Sequence, residues 1–173
     1  MGVKNMILNK VKEIRNELEL SQEDIAKVLN VKRGTYASWE CGSDVIPTRQ
    51  IYKLAEYFKL SIDYLLEISN QGHMVYHGSD INLSDVGNNI YNLRKKNNLS
   101  QKDFAESIGI NQSTLWAYEK GKTLITLSSL ISLAKVYNIT SDSILNRWII
   151  FTYFYKRTII TFWFYAFAFI SSK

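Results

Sequence analysis

The segment SQEDIAKVLNVKRGTYASWECG, residues 21–42, returns as SQKDFAESIGINQSTLWAYEKG at residues 100–121. The offset is 79 residues and holds without a gap on both sides. Upstream, Ile14-Arg15 answers to Leu93-Arg94. Downstream, Leu54-Ala55 answers to Leu133-Ala134, Phe58 to Tyr137, Asp63 to Asp142 and Leu66 to Leu145. An internal repeat fixes the architecture before any single residue is interpreted. Each copy runs for about 65 residues, too long for a solenoid unit and long enough for a small helical domain. The chain therefore reads as two copies of one module.

Each copy reads as five short helices. Ile7, Val11, Ile14 and Leu18 recur at helical spacing and predict a first helix over 8–18, with Val86, Ile90 and Leu93 as its counterpart. Ser21 followed by Asp24, and Ser100 followed by Asp103, form a capping-box variant that opens the second helix. Ile25, Ala26 and Leu29 face inward on it, as do Phe104, Ala105 and Ile108. Asn30 and Gly109 then stand at one repeat position, and these are residue types that tolerate a left-handed backbone after a helix. A three-residue turn comes next, Asn30-Val31-Lys32 and Gly109-Ile110-Asn111, with an apolar residue to pin it to the core. A third helix runs over 33–41 and 112–120 and ends at Gly42 and Gly121. Thr48 and Thr126 are expected to cap the fourth helix, and Ser61 and Thr140 the fifth. Two helices joined by such a turn define a helix-turn-helix, a DNA-binding motif when its second helix enters the major groove. An ordinary antiparallel helix pair is the plainer reading. Small Ala26 and Ala105 at the close crossing, the apolar turn residue and the doubled pattern weigh against it.

The chain resembles the phage-repressor-like, Xre-type helix-turn-helix family over residues 7–67 and 86–146. The resemblance rests on Ser21-Gln22, Ala26, Val31, Glu40-Cys41-Gly42, Pro47, Leu54-Ala55 and the run from Ser61 to Leu66. Copy two keeps Ser100-Gln101, Ala105, Ile110, Glu119-Lys120-Gly121 and Leu133-Ala134, and lacks the proline. The resemblance implies an all-α fold, two tandem five-helix lambda-repressor-like domains over 1–67 and 84–146. A linker over 68–83 then joins them, and an apolar tail covers 147–173. The resemblance also implies roles by position. Gln22 and Gln101 bond a DNA phosphate or orient a reading side chain. Lys32, Arg33, Gly34, Thr35 and Ser38 in copy one meet base edges, as do Asn111, Gln112, Ser113, Thr114 and Ala117 in copy two. Arg15 with Glu40, and Arg94 with Glu119, form internal ion pairs.

Residue chemistry supports a reading role. Arginine bonds guanine in bidentate fashion and glutamine does so with adenine, and Arg33 and Gln112 hold one repeat position. Gly34 offers backbone where Ser113 offers a hydroxyl, so the two modules are expected to read different sequences. Arg49, Lys120 and Lys122 flank the third and fourth helices, either as phosphate contacts or as solvated surface charge.

Bulk charge carries no such argument. Residues 1–66 hold ten basic and nine acidic groups, residues 67–146 seven of each, and residues 147–173 four basic and none acidic. Four of the net +5 therefore sit in the tail, and nucleic-acid binding has to be argued from placement within each copy. Cys41, the single cysteine, has no partner for an internal disulfide, fits a reducing cytoplasm and reads as a semi-buried small side chain. His73 and His77 sit four apart in the linker, without the cysteines or carboxylates of a metal site. The same linker carries one short apolar patch, Met74-Val75-Tyr76, within Gly, Ser, Asn and Asp.

The tail holds eleven of the 23 aromatics. Trp148 to Ile170 is long enough to span a membrane, but Lys156-Arg157 interrupts its middle. Each central charge costs ~2.5–3.5 kcal/mol and each Ile or Phe returns ~0.3–0.6 kcal/mol, so the two contributions nearly cancel. A membrane contact, an aromatic hairpin around Lys156-Arg157 and a tail without selected function remain three open readings.

No N-terminal signal peptide is visible, and no phosphate loop, metal-spaced cysteines or nucleophile with a paired histidine suggests an enzyme. No cofactor is expected. The sequence thus predicts a cytoplasmic, sequence-specific duplex-DNA binder that regulates transcription, as a repressor of a bacterium, its phage or a mobile element. It admits a homodimer as well as a monomer. The alternative is a protein-interaction module, antitoxin-like or membrane-tethered, with one DNA-binding copy. Its motive is the second recognition helix, which carries no Lys or Arg from Asn111 to Glu119 and exposes Leu115 or Trp116.

Overall fold

A computed structural model describes residues 8–70 and 80–147, and every described element is helical. Copy one contains α1 (Asn9–Glu17), α2 (Gln22–Leu29), α3 (Arg33–Glu40), α4 (Thr48–Phe58) and α5 (Ile62–Leu65). Copy two contains α6 (Leu83–Lys96), α7 (Gln101–Ser107), α8 (Gln112–Glu119), α9 (Leu127–Tyr137) and α10 (Ser141–Ile144). The readings placed on Ile7, on Met74-Val75-Tyr76, on His73 and His77, and on the tail from Trp148 onward lie outside the described residues.

Helix ends obey the local signals. Ser21 accepts from the Asp24 amide while the Asp24 carboxylate accepts from the Ser21 amide, a reciprocal capping box. Ser100 accepts from Asp103, Ser61 from Tyr64 and Thr140 from Ser143. Asn30, Gly109, Lys59 and Asn138 take the left-handed conformation after their helices, as does Gly121. Ile25, Ala26, Leu29, Leu54 and Ala55 form the inner layer of copy one; Phe104, Ala105, Leu115, Leu130 and Leu133 form that of copy two. Val31 and Ile110 pack against this core from the turns.

Four expectations need correction in these elements. Leu18 is 55% exposed, because α1 stops at Glu17 and the left-handed Glu19 turns the chain, so Leu20 packs inward instead. Thr48 does not cap α4: Pro47 holds the N-cap position, and Thr48, inside the first turn, points its hydroxyl into copy two. Thr126 is the true counterpart of Pro47 and caps α9 through the Ser129 amide. Cys41 is exposed, since α3 ends at Glu40. Its hydrogen bond with Ser43 lowers its thiol pKa. Finally, α6 starts at Leu83, within the segment read as linker, because Asn82 caps the Ser84 and Asp85 amides.

The two copies pack against each other reciprocally. The Ser141 amide donates to the Asp63 carboxylate (3.1 Å to Oδ2), and the Ile62 amide donates to that of Asp142 (3.0 Å to Oδ2). Those four residues are the same two repeat positions, so the contact has the logic of an isologous, two-fold interface within one chain. Thr48 Oγ1 donates to the Ile125 carbonyl at 2.7 Å nearby. Arg147, read as the first residue of the tail, belongs to this interface instead. It is 2% exposed, donates to Asp142 and the Leu60 carbonyl, and pairs with Glu56 at 3.0 Å.

Burial pushes the Asp142 carboxyl up to about 6, with Arg147 opposing the shift and Asp63 adding to it, and burial raises Asp63 as well. A carboxyl that holds its proton more tightly when folded favours the folded state at low pH, and that contribution is lost as pH rises through its folded value. The packed copies are expected to melt several degrees higher at pH 5 than at pH 7.5. Asp142→Asn is expected to flatten that difference, and a thermal scan across pH would check both.

Candidate nucleic-acid interface

The core fixes one face of α3 and leaves the other outside. Tyr36, Trp39 and Glu40 are buried, while Lys32, Arg33, Gly34 and Thr35 are exposed. In α8, Leu115, Tyr118 and Glu119 are buried and Asn111, Gln112 and Ser113 exposed, with Thr114 and Ala117 between. The N-cap residues Lys32 and Asn111 make no side-chain cap, which leaves first-turn amides available to an anion. Of the two apolar residues expected at the α8 surface, Leu115 is fully buried and Trp116 is 41% exposed. The Lys122 ammonium lies 4.2 Å from the Trp116 ring centroid, so that ring holds one of the candidate phosphate contacts.

Behind α3 and α8 stand polar relays. Arg15 bonds Glu40 through Nε (3.0 Å) and Nη2 (2.9 Å), and its Nη1 closes the first turn on the Leu20 carbonyl. Glu40 Oε2 then accepts Gln22 Nε2 at 2.8 Å. With its amide nitrogen held inward, Gln22 turns its carbonyl oxygen outward, where Arg33 Nη2 donates to it at 3.3 Å. A buried ion pair thus aims an exposed arginine through one glutamine. In copy two, Arg94 bonds Glu119 and the Leu99 carbonyl, and Gln101 donates to Glu119 at 2.7 Å. Among the described residues no side-chain bond joins Gln101 to Gln112, so copy two presents an unbraced amide where copy one presents a braced cation.

Small residues shape the rest of the face. A Cβ on Gly34 would meet nothing within 4 Å, so the fold does not require glycine there. Its absence of a side chain leaves room on the exposed surface beside Arg33. Ser38 spends its hydroxyl hydrogen on the Gly34 carbonyl at 3.0 Å and keeps an acceptor outward. Arg49 and Lys120 are exposed. Arg49 borders a shallow groove of about 340 Å³ between the copies, lined by residues 45–49 and 124–128.

Sequence reasoning named the exposed residues of this face, both ion pairs and the orienting glutamines; it missed the bond from each glutamine to its glutamate and the place of Arg147. The glutamine-to-glutamate bond has a faint signal, the repeated Gln22/Glu40 and Gln101/Glu119 spacing of 18 residues. Arg147 has none, since its counterpart is Ile68.

A family model described as Helix-turn-helix matches residues 11–65 and again 90–144. The control protein C.SmaI of Serratia marcescens is 36% identical over 62 residues, which are 36% of this chain and 74% of that protein. The cryptic phage CTXphi transcriptional repressor RstR of Vibrio cholerae serotype O1 is 35% identical over 57 residues, 33% of this chain and 51% of that protein. Each match is one copy long.

Proposed function

The chain belongs to the helix-turn-helix family, a family of DNA-binding transcription regulators, and from that premise we propose that it represses transcription by docking α3 and α8 in the major groove of one duplex. It works in the cytoplasm, without cofactor or chemistry of its own. Its two similar proteins carry the names of a control protein and a transcriptional repressor, which supports regulation as the outcome. The observation that supports the two-headed reading is the reciprocal exchange in which Asp63 accepts the Ser141 amide and Asp142 the Ile62 amide, the same repeat positions on each side, as a two-fold operation between the heads would give. A two-fold pair of heads places its recognition helices for half-sites about 34–36 Å apart on one DNA face. Here the operation is not matched by the reading residues. Arg33 faces one half-site where Gln112 faces the other, so one chain reads an asymmetric site.

Selection of bound sequences from a random DNA pool tests this. One chain on a site with unlike halves is the expected result; a perfect palindrome holding two chains would overturn it. On the selected site, Arg33→Ala is expected to cost roughly 1–3 kcal/mol and to relax one base position. Equal loss on random DNA would assign Arg33 to a phosphate.

A second reading has its own observation. The α8 helix itself carries no Lys or Arg and exposes Trp116, as a protein contact would. Substituting Gln112 and Ser113 by alanine in the full chain decides between them. Unchanged DNA selectivity would leave α8 as an interaction surface.

A further inference from the structure

We infer that the face joining the two copies is keyed for unlike pairing, so that copy two accepts copy one and rejects a second copy two. The chain is then a dimer of heads that closes on itself and stays a monomer. The inference concerns only how heads pair and does not depend on what they bind.

The reciprocal part of the interface is blind to identity. Asp63 and Asp142 each accept an amide from the opposite short helix, and any pair of heads preserves that exchange. Two features are not reciprocal: the bond from the Thr48 hydroxyl to the Ile125 carbonyl, whose repeat counterpart Leu127 has no hydroxyl, and Arg147. Its guanidinium meets three groups of copy one: the Glu56 carboxylate at 3.0 Å, the Leu60 carbonyl at 3.3 Å and the Tyr52 ring, 5.2 Å from its centroid. Within its own copy it bonds Asp142 at 2.6 Å. It is thus the cation that compensates a buried acidic centre.

The repeat offset shows what a like pair would contain. Two copy-two heads, docked by the same operation, would bring Arg147 against Lys135 in place of Glu56, and against Ile131 in place of Tyr52. A cation would face a cation, and the aromatic face would be gone. Two copy-one heads would bring Ile68 where Arg147 stands, leaving two buried Asp63 carboxylates with no guanidinium. A buried charge without its partner is strongly unfavourable. Specificity of this kind is a difference between partners, built as much by repulsion in the wrong pair as by attraction in the right one. The linker adds a high effective concentration of the right partner.

The test uses the full chain and reads oligomeric state by light scattering, with thermal unfolding alongside. Glu56→Lys is expected to lower the melting temperature and to leave a monomer, because Lys135 still repels a second copy two. Lys135→Glu alone is expected to melt and scatter light like the parent, since the internal pair forms first. The double substitution reverses the key. It is expected to self-associate at least tenfold more tightly than either single variant, through Arg147 of one chain and the new carboxylate of another. If Glu56→Lys fails to fold, Glu56→Gln with Lys135→Glu gives the same comparison with the repulsion removed. A double variant no more associated than the singles would overturn the inference, as would a parent chain that dimerises as tightly as the double variant.

Discussion

Glu40→Ala is expected to destabilise copy one by about 3–5 kcal/mol, the scale of a broken buried pair. The Glu40 side chain is 3% exposed and that of Arg15 10%. Without the carboxylate, the buried guanidinium keeps the Leu20 carbonyl and loses three hydrogen bonds to Glu40. A second effect separates this residue from an ordinary core position. Glu40 also holds Gln22, and Gln22 holds Arg33, so the variant unbraces the arginine that faces outward. Urea unfolding measures the first effect, and selectivity at the Arg33 base position measures the second. Glu40→Gln, which retains the shape and an acceptor, is expected to fall between. An unchanged denaturation midpoint in Glu40→Ala would remove the ion pair from the account of stability.

Gly87→Ala is expected to destabilise copy two although alanine is the better helix former. Gly87 lies inside α6, where alanine would gain about 1 kcal/mol from propensity. The added Cβ would stand 2.6 Å from the Tyr118 carbonyl oxygen and 2.8 Å from that of Glu119. Both obstacles are backbone, so no side chain can swing aside, and α6 has to move off the end of α8. Overpacking costs roughly 1–3 kcal/mol, and an immovable neighbour puts this case at the upper end. The displaced helix carries Arg94, the partner of Glu119, so the relay behind α8 loosens with it. Gly34→Ala is the control. It sits in α3 with open space around it, and its stability is expected to rise by up to about 1 kcal/mol. Equal melting shifts in the two variants would refute the close-crossing argument.

The helices, their order and their doubling were legible because they depend on short-range rules. Serine before a helix, a left-handed residue after it and apolar residues at helical spacing act within a few positions. The exposed residues of α3 and α8 were legible for the same reason, since burying one face of a helix leaves the other outside. Two of the readings that failed were decided by a partner far along the chain. Thr48 has the look of a cap, yet its hydroxyl is taken by Ile125, 77 residues away. Arg147 has the look of a tail residue, yet it is buried against Glu56 and Asp142. Leu18 is a local failure: it fits the helical spacing, yet the helix has ended before it.

The sequence by itself determined two helix-turn-helix copies and the different residues each presents, because repetition and local propensity need no third dimension. Only the tertiary structure decided that the copies pack on each other, that each copy's aspartate accepts an amide of the other, and that Arg147 bonds Glu56 across the contact. Those interactions join residues some 80 positions apart, at distances where no pattern in the chain sets the geometry and burial decides which charges must meet.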